Sequence, residues 1–261
     1  MTPPKTAILG SGKLATAVAQ RLVAQGWPIH WIVSRNKESG QKLAEACQSQ
    51  FVDASDHGHS WSAELLLLCV PDDQIAPSAR MFKEHASCMI HLSGTVALDV
   101  LDCDKAAVMW PLMSFNQLLT VPWSEIPWFW EATHETATAA VHMLVKTLGG
   151  TAIQATETSR RYMHLAAVFA HNFSNACISM AQELAADAAC SPDTLNPIIQ
   201  NMLNQLQHQP ARSLQTGPAL RGDVQTMQAH LNLLQEHPEM AACYRAMSDF
   251  IRFQSKKTEK D

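Results

Sequence analysis

Several features are scarce in this chain, and each scarcity removes a class of function. No apolar run approaches the roughly 20 residues that a membrane-spanning helix requires. The run at residues 65–70, Leu-Leu-Leu-Leu-Cys-Val, has the length of a buried strand. Positive charge is not in excess: 19 basic against 24 acidic residues leave a net charge of −5, no footing for nucleic acid or an anionic membrane. Seven cysteines lie scattered without a CxxC pair, and twelve histidines include no HExxH, so no metal site is expected. His57 and His59 stand in a Ser/Gly/Asp-containing stretch and read as an exposed turn. The beginning, Met1 through Pro3-Pro4 into a strand, has no signal-peptide apolar region. Unpaired cysteines and no leader give the cytoplasm as the expected compartment. Internal repeats and low-complexity segments are absent as well.

What is present begins at Ile8-Leu9-Gly10-Ser11-Gly12-Lys13-Leu14-Ala15. A short apolar run breaks at two glycines spaced one apart, and an amphipathic segment follows to residue 25. This reads as strand, tight turn and helix, with Gly10-x-Gly12-x-x-Ala15 at the turn. Gly10 permits the sharp turn, Gly12 lets a pyrophosphate approach the backbone, and Ala15 lets helix and strand pack closely. The N–H groups and positive dipole end of the new helix favour an anion. A second strand, residues 29–33, ends in Ser34-Arg35-Asn36. An NAD-specific fold places Asp or Glu there to receive the adenosine ribose. With Ser34 in that place a 2′-phosphate is not repelled, and Arg35 can pair with it bidentately, which favours NADP over NAD.

Strands are expected at 51–52, 65–70, 88–92, 106–110, 128–131 and 151–154, with helices at 37–47 and 137–148. Alternation through residue 155 predicts an α/β fold, a doubly wound parallel sheet with an antiparallel edge. From residue 157 to 189 there is no proline or glycine, so one long helix is expected, buried on most sides. Ser191-Pro192 starts another, Asp223 caps a helix reaching about residue 236, and Pro238 opens the last. The expected domains are a dinucleotide-binding domain at 1–155 and an all-helical domain at 156–261.

The helical half carries two constellations. His164, His171 and Asn175 fall on one stripe of the long helix, and Asn172 stands beside Leu165 and Phe169. A buried Asn172 must find partners. It either binds a substrate polar group, orients a catalytic one, or ties two helices together. In Thr216-Gly217-Pro218-Ala219-Leu220-Arg221-Gly222-Asp223, the last residue opens a helix that puts His230 seven positions on, facing nearly the same way. Arg221, Asp223 and His230 either bind an anionic substrate and move a proton, or serve as local caps. Val224, Met227, Leu231 and Leu234 form the apolar face of that helix. Trp123, Trp128 and Trp130 cluster as an expected partner or substrate wall.

These residues resemble the Rossmann-like NADP oxidoreductase family with a C-terminal helical domain of unknown function. That family is related to pyrroline-5-carboxylate reductases, deazaflavin-dependent NADP reductases and β-hydroxyacid dehydrogenases. The resemblance runs through residues 8–15, 33–35, 70–73, 91–94, 110–115, 124–131, 164–173 and 214–231. "HLAAVFAHNF" from His164 and "TGPALRGDVQTMQAHL" from Thr216 are its most specific pieces. It implies a helical domain of the 6-phosphogluconate dehydrogenase C-terminal type, an NADP(H) cofactor, a small-molecule substrate in an interdomain cleft, and a homodimer through the helical domains. Gly10, Ser11, Gly12, Lys13 and Leu14 would then cradle the pyrophosphate, with Ser34 and Arg35 on the 2′-phosphate. Val70 and Pro71 would flank the nicotinamide-side ribose. Ser93, Arg221 and Asp223 would bind substrate, and His164, Asn172 and His230 are the candidate catalytic groups. Two departures stand out: Trp110 precedes Pro111 where many members have His, and Val168 stands where the hydroxyacid dehydrogenases carry a catalytic Lys. The expected reaction is hydride exchange between NADP(H) and a small carbonyl/alcohol or imine/amine substrate. The competing expectation is a non-catalytic NADP(H)-binding sensor or assembly protein.

Overall fold

In the computed structural model, residues 2–55, 61–115 and 121–258 are described. The His57 and His59 stretch lies outside them. The chain forms two compact units, Met1–Ala170 and His171–Asp261.

The first unit is built on one eight-stranded sheet. Its strands are β1 (Thr6–Leu9), β2 (Ile29–Ser34), β3 (Gln50–Asp53), β4 (Leu65–Leu68), β5 (Met89–His91), β6 (Ala106–Pro111), β7 (Pro127–Ala132) and β8 (Thr151–Gln154). They lie in the order β3-β2-β1-β4-β5-β6-β7-β8. All neighbours pair in parallel except β6 with β7, where the chain turns back as an antiparallel pair. The near-continuous apolar runs of β1 and β4 follow from burial on both faces. Side chains alternate across the sheet with period two. Ile8, Leu65 and Leu67 pack with Leu22, Val141 and Leu144 on one side. Ala7, Leu9, Leu66 and Leu68 pack with Ile75 and Met89 on the other.

Helices α1 (Lys13–Ala24), α2 (Lys37–Ala46), α3 (Asp72–Met81) and α4 (Glu135–Leu148) follow their strands. Strand order reverses at β1, because β2 and β3 lie to one side and β4 to β8 to the other. A crevice therefore opens at the carboxyl ends of β1 and β4, where open α/β sheets take ligands. Trp128 and Trp130 are buried in the core, so they do not form the exposed wall expected for them; β7 lies between two strands and under α4, which covers both rings.

The expected long helix is interrupted. It runs as α5 (Glu157–Ala167), a π-helical turn (Val168–Phe173) and α6 (Ser174–Asp187). It is also largely exposed, with Arg160 its one buried residue. The small and apolar side chains that suggested burial face outward. In the second unit, α7 (Asn196–Leu206) follows a 3-10 turn at Pro192–Leu195, so Pro192 opens that turn and Pro197 stands at the start of the α-helix. Then come α8 (Pro218–Arg221), α9 (Val224–Leu233) and α10 (Pro238–Thr258). Asp223 caps α9 as its position predicted, but Val224 is exposed, and of the four residues assigned to an apolar face Leu234 alone is buried. No helix among the described residues is long and apolar enough to cross a membrane.

Candidate cofactor groove and its neighbours

Gly10 is held between two strands. Its N–H donates to the Val33 carbonyl at 2.8 Å, and the Cys69 N–H donates to the Leu9 carbonyl at 2.8 Å. The resulting φ of +117° suits glycine, and a Cβ at this position would stand 2.3 Å from the Cys69 carbonyl oxygen. Gly12 does the opposite: a Cβ there would meet nothing within 4 Å. It is the N-cap of α1, and neither a capping side chain nor an acidic residue in the first turn answers the free N–H groups of Lys13 and Leu14. Bare backbone donors, a positive dipole end and open space are what a pyrophosphate needs. The crevice is a cavity of about 500 Å³ lined by Gly10, Ser11, Gly12, Ser34, Arg35, Val70 and Pro71 among others. The structure thus brings seven of the nine predicted cofactor residues onto one wall. The other two, Lys13 and Leu14, open the helix beside it.

The end of β2 is held by hydroxyls. Ser34 Oγ lies 2.8 Å from Ser11 Oγ, which lies 2.7 Å from Ser39 Oγ. The Asn36 side chain caps α2 by accepting from Ser39 N–H at 3.0 Å. Arg35 is exposed at the rim. The carboxylate in register with Ser34, Asp53 on β3, is paired with Lys37 at 2.9 Å; its pKa is lowered first by the Ser55 N–H and then by Lys37. Among the described residues, no carboxylate lines this cavity.

The loop after β5 contains Ser93, Gly94 and Thr95. Ser93 is buried, and its hydroxyl accepts from the Thr95 and Val96 N–H groups, both at 3.1 Å. Beneath it, His91 is buried; its Nδ1 accepts from Ser93 N–H at 3.2 Å, which leaves Nε2 to donate to the Ala97 carbonyl at 3.3 Å. Burial, and then the Arg160 charge, push the His91 pKa down to about 4, so the ring is neutral. His164 leans against Trp110, ring centroids 5.6 Å apart, and the two crowd Gly94: a Cβ there would lie 2.7 Å from His164 and 2.8 Å from Trp110.

Other candidates lie in the second unit. Asn172, expected to be buried, is exposed within the π-helical turn. Arg221 is exposed at the end of α8. The Asp223 carboxylate accepts from Thr226 N–H at 3.0 Å and Thr226 Oγ1 at 2.7 Å, and these two bonds lower its pKa. His230 Nδ1 lies 2.9 Å from the Tyr244 hydroxyl, the rings edge to face. Sequence reasoning missed Arg160, Glu131, His91 and Tyr244. Arg160 sits in the polar run Glu-Thr-Ser-Arg-Arg, where nothing marks one arginine as buried. Tyr244 meets His230 from another helix, 14 positions on.

Residues 5–91 match the family described as NADP oxidoreductase coenzyme F420-dependent, and residues 126–251 match a domain of unknown function, DUF2520. None of the curated proteins matches the chain. Among solved structures, a Bacteroides fragilis protein described as a candidate NADP oxidoreductase shares 27% identity, with 96% of this chain and 98% of that one covered and a TM-score of 0.86. A Thermotoga maritima protein shares 20% identity over 97% and 99% of the two chains, with a TM-score of 0.71. A pyrroline-5-carboxylate reductase from Coxiella burnetii shares 14% identity over 98% of each chain, with a TM-score of 0.58. The last two likenesses are of fold.

Proposed function

We propose that this chain, which joins an NADP-oxidoreductase-type domain to a DUF2520 domain, is an NADP(H)-dependent oxidoreductase acting on a small carbonyl/alcohol or imine/amine substrate. The observation that carries the reading is the groove. It combines a glycine that tolerates no Cβ, a helix N-terminus with no capping side chain, and Arg35 at a rim where no described residue is a carboxylate. When bound, NADP(H) supplies the hydride chemistry. The Gly12–Leu14 backbone holds the pyrophosphate, Ser34 and Arg35 hold the 2′-phosphate, and Val70 and Pro71 flank the far ribose. His164, fixed against Trp110 over Gly94, is the proposed proton donor. Asn172, Arg221, Asp223 and His230 remain proposed substrate-side groups of the helical unit.

Exposed apolar side chains support a homodimer. Ile198, Met202, Leu203 and Leu206 of α7 all face solvent, an apolar face of the kind that marks an interface. The cysteines are all free, which fits the proposed cytoplasmic location.

The groove is tested by titrating NADPH and NADH into the protein and into Arg35→Ala. Removing a charge-assisted pair should weaken NADPH by about 10- to 100-fold and leave NADH nearly unchanged. Equal weakening of both overturns the 2′-phosphate assignment. Trp110 and Val168, standing where many members of the resembled family have His and where the β-hydroxyacid dehydrogenases have a catalytic Lys, favour the sensor reading. A panel of keto acids, cyclic imines and hydroxy acids separates the two. NADPH turnover lost in His164→Ala supports the enzyme; binding without turnover throughout supports the sensor.

A further inference from the structure

Four of the five carbonyls from Ser93 to Ala97, after β5, are bound by side chains. Arg160 Nη1 donates to Ser93 O at 3.3 Å and to Val96 O at 2.8 Å. Arg161 Nε donates to Thr95 O at 3.0 Å, and His91 Nε2 to Ala97 O at 3.3 Å. Water satisfies the carbonyls of an ordinary surface loop at no such cost. Here a guanidinium has been taken wholly out of solvent, with 0% of its side chain exposed. Burying that charge costs several kcal/mol unless it is paired. Its partner is Glu131 of β7, with Nη2 to Oε1 at 2.5 Å. Even so, Arg160 Nε has no hydrogen-bond partner among the described residues. The arrangement is therefore a costly one for stability alone, because it buries a charge and still strands one of its donors.

It is a good device for fixing a shape. The loop is also tied to the cofactor groove, since Thr95 Oγ1 donates to the Asp72 carboxylate, and Asp72 opens α3 directly after Pro71 on the groove wall. We propose that Arg160, backed by His91 and Glu131, is a positioning residue that presets the 93–97 loop as the wall against which the nicotinamide half of the dinucleotide rests. The proposal deepens the cofactor reading above and depends on it. A preset loop spends no binding energy on ordering itself, so its benefit falls on the part of the ligand that touches it.

The adenosine half lies at the other end of the groove, near Ser34 and Arg35, and provides an internal control. The probes are NADPH and 2′-phospho-ADP-ribose, which keeps the adenosine, 2′-phosphate and pyrophosphate but lacks the nicotinamide. Arg160→Lys keeps the charge beside Glu131 but loses the planar fork that spans two carbonyls. It should weaken NADPH by about tenfold and leave 2′-phospho-ADP-ribose unchanged. Thr95→Val cuts the tie to Asp72 without touching the buried ion pair, and should shift the two affinities in the same unequal way by a smaller factor. This variant decides the matter if Arg160→Lys does not fold. Parallel loss of both affinities, or loss of neither, overturns the proposal. So does a wild-type protein that binds both probes equally well. A wild-type protein that binds neither probe overturns the cofactor reading itself, a result distinct from the others.

Discussion

The two units dispose of their apolar side chains in opposite ways. In Met1–Ala170 the sheet is covered on both faces, and residues such as Ile8, Leu22, Leu67 and Val141 are wholly buried. In His171–Asp261 the described buried residues are Ala219, Leu234, Ala241 and Ser248, and α6, α7 and α9 bury none. Ile198 is 69% exposed and Leu233 77%. A unit of that size normally hides far more of its surface. The first unit closes its own core; the second is a set of amphipathic helices whose apolar faces call for another surface, and a second copy of the chain is the proposed one.

The largest expected effect breaks this contrast at its weaker side. Ile198→Glu with Met202→Glu should weaken self-association by on the order of a thousandfold, if each side chain is a buried anchor in the dimer. Sedimentation velocity reads the mass, and NADPH binding by the first unit should persist. A wild-type chain that sediments as a monomer, with its helical unit intact on dilution, removes the dimer.

A smaller effect sharpens the contrast from the other side. Neutral His91 is a cost of a closed core in acid. Its pKa falls from 6.5 to about 4 on folding, so the unfolded chain takes up that proton first as the pH drops. Stability should be complete above pH 6.5 and fall by roughly 3 kcal/mol toward pH 4, with Arg160 and Asp72 the charged groups acting on the ring. His91→Gln, measured by urea unfolding across that range, should flatten the slope; an unchanged slope assigns it elsewhere. The smallest effect lies at Asp223. Its cap on α9 answers one helix end in a unit with little else to hold it, and Asp223→Ala should lower the thermal unfolding midpoint by a small amount. Loss of turnover without loss of stability would instead make Asp223 a substrate ligand.

What was legible in the sequence was whatever depends on neighbours along the chain. Gly10-x-Gly12, the apolar strands, the Ser34-Arg35 strand end and the Asp223 cap are all local patterns, and each falls where its spacing places it. What was illegible depends on partners distant in sequence. Arg160 meets Glu131 and Ser93, 29 and 67 positions away. The π-helical turn adds a further obstacle, because one extra residue in a turn rotates everything beyond it by about 100°, so a stripe drawn from His164 at α-helical spacing does not continue past Phe173. The long helix departs from its expected burial for a related reason: an apolar face announces that it will be covered, not by what.

Gly94 has a consequence for how this chain can change. Because a Cβ at 94 would lie 2.7 Å from the His164 ring and 2.8 Å from the Trp110 ring, no side chain enters there until both rings give way. The three positions therefore share one volume, and a lineage can redistribute that volume among them but cannot alter one freely. A side chain at 94 is therefore expected only where residues 110 and 164 have both changed.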